Sequence, residues 1–285
     1  MFARIERRTL VRAALAALAV LLIASVVINV ALLRRLGAYR YLNAPTSDFV
    51  AGKCGSLSLV GHWQFDESGV NDVARTPDTS GFSNHARLEM PQRPLSTFRD
   101  RLPAHVGGID GKALEFGGRH WVAAGNNDCF ATANFTFSAW IWLESVGNVP
   151  TIAGKASWPH NGWWLMTTTA GIQSADRYLD LGIAWPGGQT HVQSGYRLPL
   201  REWHHVVVAV DSERHEVQFF VDGRSVSRHR DVPTWQVNWD HDLVLGDYDG
   251  TTRWPWLGKL DDVRFYNYVL SADEARALYV QPNVR

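Results

Sequence analysis

The sequence has few cysteines and no excess of either charge. Only two cysteines occur in 285 residues, Cys54 and Cys129, so a cysteine-based zinc site is excluded. The 28 basic residues, of which only four are lysine, are balanced by 28 acids. Because the formal net charge is zero, no overall field attracts nucleic acid or an acidic surface. We therefore expect no nucleic-acid partner.

The motifs of several enzyme classes are also absent. The sequence contains no G-x-S-x-G elbow, no Walker loop and no G-x-G-x-x-G turn. These patterns hold a serine nucleophile, a nucleotide phosphate and a dinucleotide, respectively. We therefore expect no organic cofactor and a protein that is not an enzyme.

One long hydrophobic run is present, at the N-terminus. Residues 13–33 carry no charge and are bracketed by Arg12 and Arg34. A helix of this length spans a bilayer core of about 30 Å, and no small-residue cleavage site follows the run directly. The sequence predicts a cytoplasmic tail over 1–12, an uncleaved transmembrane helix over 13–33 and a remaining chain on the far side of the membrane.

Small and polar residues follow one stripe of this predicted helix. They recur at i, i+4 spacing, interrupted once by a leucine, and are Ala13, Ala17, Ser25 and Asn29. Such a stripe lets a second transmembrane helix approach closely and form hydrogen bonds. The alternative is that alanine is common in such spans and that the asparagine lies near the water interface.

The two cysteines agree with an oxidising compartment on the far side of the membrane. Cys54 and Cys129 could form a disulfide in an oxidising compartment, or they could be two unrelated thiols. Residues 34–56, which include Cys54, show no sustained hydrophobic period. We interpret them as a tether between the predicted membrane helix and the rest of the chain.

From Leu57 onward the chain consists of short apolar runs separated by Gly, Asp, Asn and Pro. Asp222-Gly223 lies between two such runs and predicts a two-residue hairpin turn. One helix is predicted near the C-terminus, where Ser271 and Glu274 form a capping box. Many short strands with a single helix predict an all-β, two-sheet antiparallel sandwich.

Five segments carry a family resemblance. In chain order they are DTSGFSNHARL (78–88), GKALEFGG (111–118), FTFSAWIWLES (135–145), EWHHVVVAVDSERHEVQFFVDGRSV (202–226) and LGKLDDVRFYNYVLSADEARALY (257–279). Together they resemble the laminin-G-like, concanavalin A-like jelly rolls of bacterial secreted and surface proteins. The resemblance implies a jelly-roll domain over 57–280, with two antiparallel sheets of six or seven strands each, followed by a short tail over 281–285. It also implies a bacterial inner membrane for the anchor and a periplasmic or extracellular domain.

The resemblance also implies a structural calcium ion. Strict alternation along the last strand puts Asp261 on the face of Val263 and Phe265, where an ionised carboxylate is costly unless it is paired. Many members of the family hold calcium between this strand and the early D-x-S-G loop. The expected ligands are Asp78, Asn84 and Asp261, with Asp262 as the alternate. The competing interpretation is a purely hydrogen-bonded arrangement, with Asp262 forming a surface pair with Arg264.

The aromatic residues of the predicted loops suit either stacking on sugar rings or contacts in a protein interface. The alternative is that they only pack in the core or within their loops. The candidate contacts are Trp158, His160, Trp185, Tyr248, Arg253 and Trp254. The glycoside hydrolases of this superfamily use an E-x-D-x-x-E strand, which the sequence lacks.

The function expected first is therefore a non-catalytic, membrane-anchored recognition module that acts as an accessory or assembly subunit of a larger membrane complex. A short tether keeps such a module close to neighbouring membrane proteins. The alternative is lectin-like binding of cell-envelope or extracellular glycan. A glycan hydrolase with an unrecognised site is a remote third.

Overall fold

The structure is a computed structural model that describes residues 56–67, 75–91, 103–145, 150–157, 161–168, 177–185, 187–233, 241–251 and 254–280. Within these ranges it contains sixteen β-strands and one α-helix. The strands are β1 (Leu59–Trp63), β2 (Arg75–Thr76), β3 (Ala86–Glu89), β4 (Ala104–Gly107), β5 (Lys112–Gly117), β6 (Trp121–Gly125), β7 (Phe135–Leu143), β8 (Thr151–Ser157), β9 (Asn161–Thr168), β10 (Tyr178–Trp185), β11 (Gly188–Gln193), β12 (Trp203–Asp211), β13 (Glu216–Val221), β14 (Arg224–His229), β15 (Leu243–Leu245) and β16 (Leu257–Tyr266). The helix is α1 (Ala272–Val280).

The strands form two antiparallel sheets. The first sheet has the order β14-β13-β12-β7-β16-β5-β4, and β1 pairs with β16 beside this path. The second sheet has the order β11-β10-β9-β8-β15-β6-β3-β2. Runs of consecutive strands, such as β12 to β14 and β8 to β11, are joined by pairings between distant parts of the chain, such as β7 with β16. The fold therefore depends on long-range pairing that no single segment specifies.

The core lies between the two sheets and is built by alternate residues of each strand. Three aromatic rings join the sheets at its centre: Phe135 of β7 stacks on Trp163 of β9 with ring centroids 4.7 Å apart, and on Phe265 of β16 at 5.5 Å. Offset-stacked rings contribute about 0.5–1.5 kcal/mol beyond the area they bury. This cluster therefore fixes the inner faces of β7, β9 and β16, and with them the faces that point outward.

The predicted turn and helix start are confirmed. Asp222 and Gly223 join β13 to β14 with φ of 48° and 71°, as a type I′ turn requires at both central positions. The amide and hydroxyl of Ser271 both donate hydrogen bonds to Oε2 of Glu274 at 2.7 Å. In return, the Glu274 amide donates to the Ser271 hydroxyl at 3.3 Å. Helix α1 then packs Ala275 against the outer face of the first sheet, on Val207 and Phe220.

The predicted all-β sandwich with a short C-terminal helix is confirmed for the described residues. The sheets are wider than the resemblance implied, with eight described strands each instead of six or seven. None of the helices among the described residues has the length and hydropathy to cross a bilayer. The predicted transmembrane helix over 13–33, with its stripe of Ala13, Ala17, Ser25 and Asn29, lies outside the described residues.

Candidate functional site

The early D-x-S-G loop is closed by its own hydrogen bonds. Oδ1 of Asp78 accepts from the backbone amides of His62 and Ser80 at 2.8 and 2.9 Å. Oδ2 accepts from the Ser80 hydroxyl at 2.8 Å and from the Asn84 amide at 2.9 Å. A carboxylate offers about four lone-pair sites, so protein donors already satisfy this one.

The second predicted ligand of this loop is also occupied. Nδ2 of Asn84 donates to the Val60 carbonyl at 2.6 Å, and its Oδ1 accepts from Nδ2 of Asn127 at 2.7 Å. The side chain is buried. It therefore ties the loop to β1 and to the turn after β6.

The two adjacent acids of β16 lie at a β-bulge, and this overturns strict alternation along the strand. The pairing of β16 with β7 shifts between Asp261 and Arg264, and Asp262 takes a left-handed conformation with φ of 46°. Because the bulge adds a residue, Leu260 and Val263 both belong to the core. The prediction that Asp261 shares the face of Val263 is therefore wrong, since it pairs across with Trp140, outside the main core cluster.

Each acid of the bulge has protein partners of its own. Oδ2 of Asp261 accepts from the Ile109 amide at 2.8 Å, which ties it to the loop between β4 and β5. Burial raises the pKa of the Asp261 carboxyl to about 7, although hydrogen bonds from three backbone amides act in the opposite direction. Asp262 forms the expected pair with Arg264, at 3.0 Å, but both side chains are buried instead of exposed.

These arrangements do not fit a calcium ion. Asp78 and Asn84 lie together, whereas Asp261 binds a different loop and Asp262 is bonded to a guanidinium. Calcium needs six to eight oxygen ligands with free lone pairs. Among the residues that the structure describes, no three His, Cys, Asp or Glu side chains come close enough together to hold a metal ion. A calcium ion stays a prediction from the resemblance, without support from this geometry.

The outward face of the second sheet carries an aromatic cluster instead. We call it the aromatic face, and its members are Ala156, Trp164, Met166, Ala184, Tyr248 and Trp254. The Tyr248 ring lies edge-on to Trp164 at 5.2 Å and to Trp254 at 4.8 Å. Trp254 is only partly buried, so it is the ring of this group that solvent reaches.

A glycine allows the central tryptophan to lie against the sheet. A Cβ added at Gly182 of β10 would lie 2.1 Å from the Trp164 ring, so only glycine leaves room for the indole there. The Trp164 indole N–H is buried and has no hydrogen-bond acceptor among the described residues. A buried unpaired donor costs about 1–3 kcal/mol, and a ligand acceptor would remove that cost.

A polar group adjoins the aromatic face. Asp180 of β10 is buried, and its two oxygens accept from Nδ1 of His191 at 2.8 Å and from Nε2 of Gln193 at 3.0 Å. The His191 ring lies edge-on to Trp164 at 5.6 Å and is about a third exposed. The hydrogen bond to Asp180 raises the pKa of His191, against the effect of burial.

The predicted contact residues divide into three groups. Tyr248 and Trp254 belong to the aromatic face, where Tyr248 is fully buried. Trp185, at the end of β10, packs against the core between the sheets and is separate from this face. Trp158, His160 and Arg253 lie outside the described residues. Cys129 is disulfide-bonded, and its expected partner Cys54 also lies outside them.

Sequence reasoning missed the polar group. Asp180 alternates with Leu179 and Leu181, so it was recognisable as an acid on the outward face of a strand. His191 and Gln193 share a face because they are two residues apart in β11. The signal that could have found them is this alternation, but nothing in the sequence shows that β10 and β11 pair in the register that joins them.

Comparison with known proteins gives a family and a fold. The family described as the concanavalin A-like lectin/glucanases superfamily matches residues 116–276. No curated protein sequence matches the chain.

Solved structures agree in fold at low sequence identity. Domain 4 of AbnA, a GH43 extracellular arabinanase from Geobacillus stearothermophilus solved in complex with arabinotriose, has a TM-score of 0.60 and 18% identity, over 78% of this chain and 98% of that one. The binding domain of Paraclostridial Mosquitocidal Protein 1 has a TM-score of 0.57 and 13% identity, over 78% of this chain and 52% of that one. The receptor binding domain of botulinum neurotoxin mosaic serotype C/D has a TM-score of 0.56 and 15% identity, over 80% of this chain and 52% of that one.

The match of this chain to the two toxin domains spans about half of their length. At these identities the likeness concerns the fold, and function depends on the site that each fold carries. The family match covers more than half of the 285 residues. Together with the two-sheet architecture, it shows that the chain belongs to the concanavalin A-like lectin/glucanases superfamily.

Proposed function

We propose that this chain is a non-catalytic recognition domain that binds carbohydrate on the aromatic face of its second sheet. The observation that carries the proposal is the buried Asp180 carboxylate, which His191 and Gln193 hold beside the Trp164 ring. A sheet surface turned away from the core has no structural need for a buried acid, because burying a carboxylate costs free energy unless it is paired.

The chemistry of this group suits hydroxyl groups. A carboxylate accepts, a primary amide both donates and accepts, and an imidazole can do either. The partly exposed Trp254 ring offers a flat apolar surface to the carbon face of a sugar ring. Apolar walls with a few convergent polar groups are the usual composition of small-molecule sites.

The charges of this group suit a neutral glycan. The hydrogen bond to Asp180 favours the protonated imidazole of His191, and in that state the two side chains form an ion pair with no net charge. The bound arabinotriose of the GH43 domain 4, which has the same fold, supports a carbohydrate ligand in this proposal.

The absence of catalysis is part of the proposal. Hydrolysis of a glycosidic bond uses two carboxyl groups about 5–9.5 Å apart, and the E-x-D-x-x-E pattern that would supply them is missing from the sequence. On the aromatic face the Asp180 carboxylate already has both oxygens engaged. Each oxygen keeps a second lone pair with which it can accept a hydrogen bond from a sugar hydroxyl.

The membrane-anchored accessory subunit that the sequence first suggested remains a second prediction. It depends on the helix over 13–33, which lies outside the described residues. In the combined proposal the domain recognises glycan outside a bacterial inner membrane, and the anchor holds it there.

The test uses the full chain in phospholipid nanodiscs, because of the predicted anchor. A glycan array identifies oligosaccharides that are retained, and calorimetry measures their affinity. We expect Trp254→Ala and Gln193→Ala to weaken binding at least about fivefold, as the loss of one stacked ring or one hydrogen bond does. Trp142→Ala is the matched control, since Trp142 is a partly exposed tryptophan of the first sheet.

Two results would contradict the proposal. One is a chain that retains no glycan at all, above all if it co-purifies in fixed ratio with other membrane proteins. The other is a glycan affinity that Trp254→Ala leaves unchanged, because the contact surface would then lie elsewhere.

A further inference from the structure

A cavity of about 800 Å³ lies on the opposite side of the molecule, between α1 and the outward face of the first sheet. Its walls come from β1, β16, the loop at Thr79 and Ser80, and α1. Volumes of roughly 300–1,000 Å³ are typical of small-molecule sites. The aromatic face belongs to the second sheet, so the two features are separate.

One end of the cavity is polar but electrically neutral. Nε2 of His62 is 2.6 Å from Oδ1 of Asp262, and Nδ1 is 2.8 Å from the Thr79 hydroxyl. Arg264 binds the same carboxylate through both of its oxygens, at 3.1 and 3.0 Å. A bidentate pair of this kind compensates both charges, so neither an anion nor a cation finds an unpaired partner here.

One further polar side chain at this end is available to a ligand. Gln64 lines the cavity and makes no hydrogen bond to the described residues. Its amide can donate and accept at the same time, which matches a hydroxyl group. The carboxylate of Glu274 also lines the cavity and already accepts hydrogen bonds from the amide and hydroxyl of Ser271.

The rest of the cavity is apolar and partly aromatic. Tyr266 and Tyr268 lie edge to face with ring centroids 5.6 Å apart. Leu270 and Leu278 complete this end of the wall. A ligand that fills the space therefore has a flat apolar group at the tyrosine end and uncharged hydrogen-bonding groups at the His62 end.

We propose that this cavity is a second binding site, for neutral molecules that join a hydroxyl-bearing ring to a flat apolar ring, the chemistry of an aryl glycoside. The apolar ring lies between Tyr268 and Leu278, and the hydroxyls meet Gln64 and the His62 group. The site is independent of glycan binding on the aromatic face, because it uses the other sheet.

The test is calorimetry on the full chain in nanodiscs with phenyl β-D-glucopyranoside as the probe. Phenyl sulfate, phenyltrimethylammonium and free glucose are the comparison ligands. We expect the neutral aryl glycoside to bind at least about tenfold more tightly than each of these, since each lacks either the neutral polar group or the apolar ring.

Two variants locate the binding. Ala277→Arg introduces a long side chain from the exposed, cavity-lining surface of α1 and should abolish binding. Ala272→Arg makes the same change at an exposed position of α1 that does not line the cavity, and should leave binding unchanged. Gln64→Ala should weaken binding about fivefold, as expected for one lost hydrogen bond.

Three results would overturn the proposal: no saturable binding of the glycoside at millimolar concentration, equal binding of phenyl sulfate, or binding that Ala277→Arg does not reduce. Binding that Trp254→Ala reduces instead of Ala277→Arg would assign the glycoside to the aromatic face. That result would leave the proposed carbohydrate function intact and remove the second site.

Discussion

His205 makes the stability of the domain sensitive to acid. This histidine of β12 is 1% exposed and lies below α1, with its Nε2 hydrogen-bonded to the Ser138 hydroxyl at 2.9 Å. The rings of Trp140 and Tyr279 lie 5.3 and 6.3 Å away. Burial and the positive charge of Arg264 lower the pKa of His205 to about 3, although the negative charge of Asp222 acts in the opposite direction.

The sign and size of the effect follow from proton linkage. The pKa of His205 is about 3 in the folded state, against 6.5 as the ordinary value for the unfolded chain. Below pH 6.5 the unfolded chain therefore binds a proton that the folded domain does not, so the free energy of unfolding falls as the pH falls. Integrated from pH 7.5 to pH 5, the loss corresponds to about 1.5 pH units at about 1.36 kcal/mol each, or about 2 kcal/mol.

The assay compares His205→Gln with the wild-type chain by urea unfolding between pH 7.5 and 5. Glutamine keeps a hydrogen-bonding group near Ser138 but does not titrate. All thirteen tryptophans lie beyond residue 55, so their fluorescence reports on this domain. We expect the variant to lose about 2 kcal/mol less than the wild type over this range, whereas His215→Gln, at an exposed histidine, should keep the wild-type slope. Coincident slopes for wild type and His205→Gln would refute the reasoning.

The remaining predictions concern three other positions. Because burial raises the pKa of Asp261 to about 7, the contribution of this carboxyl to the free energy of unfolding should fall as the pH rises from about 4 to 7, opposite in sign to the contribution of His205. The same urea assay should show this contribution as a pH-dependent difference between the wild type and Asp261→Asn. A melting temperature at pH 8 that rises with calcium only when Asp261 is present would instead support the calcium prediction. Gly182→Ala brings a Cβ to 2.1 Å from the Trp164 ring, so we expect a melting temperature several degrees lower and weaker glycan binding, while Gly107→Ala, which meets nothing within 4 Å, should change neither. Ser271→Ala removes the N-cap of α1 and should cost about 1 kcal/mol by calorimetry, and an unchanged melting temperature would show that α1 does not depend on its capping box.

The fold could be predicted because its signals are local. The Asp222-Gly223 turn and the Ser271 capping box are each defined by a few adjacent residues, and both appear as expected. The order of strands in the two sheets could not be read in this way. It depends on pairings such as β16 with β7, which are more than a hundred residues apart.

The β-bulge shows why alternation alone misassigned Asp261. A bulge costs one residue in a left-handed conformation, which Asp tolerates better than most residues. In the sequence, the pair Asp261-Asp262 looks the same whether the strand is regular or bulged. The difference is decided by Leu260 and Val263, which both pack into the core and can do so only if the strand bulges between them.

The candidate site was partly predictable for a related reason. Tyr248 and Trp254 were identified as loop aromatics, and both belong to the aromatic face. Asp180, His191 and Gln193 lie in strands with unremarkable sequences, and they form a group only because β10 and β11 are adjacent. Pairing of strands therefore creates the polar part of the site, and sequence patterns show only its aromatic part.

Three buried carboxylates of the domain are stabilised by hydrogen bonds or ion pairs with other side chains and backbone amides. Asp78 has four protein donors, Asp180 has His191 and Gln193, and Asp262 has Arg264 and a histidine. Each carboxylate is neutralised or hydrogen-bonded by the protein itself, which is the role that a calcium ion would otherwise fill. Where these partners also reach an outward face, as they do at Asp180 and Asp262, they leave a neutral surface rich in hydrogen-bonding groups. Both proposed sites lie at such a surface, and for that reason we expect both to prefer uncharged, hydroxyl-bearing ligands.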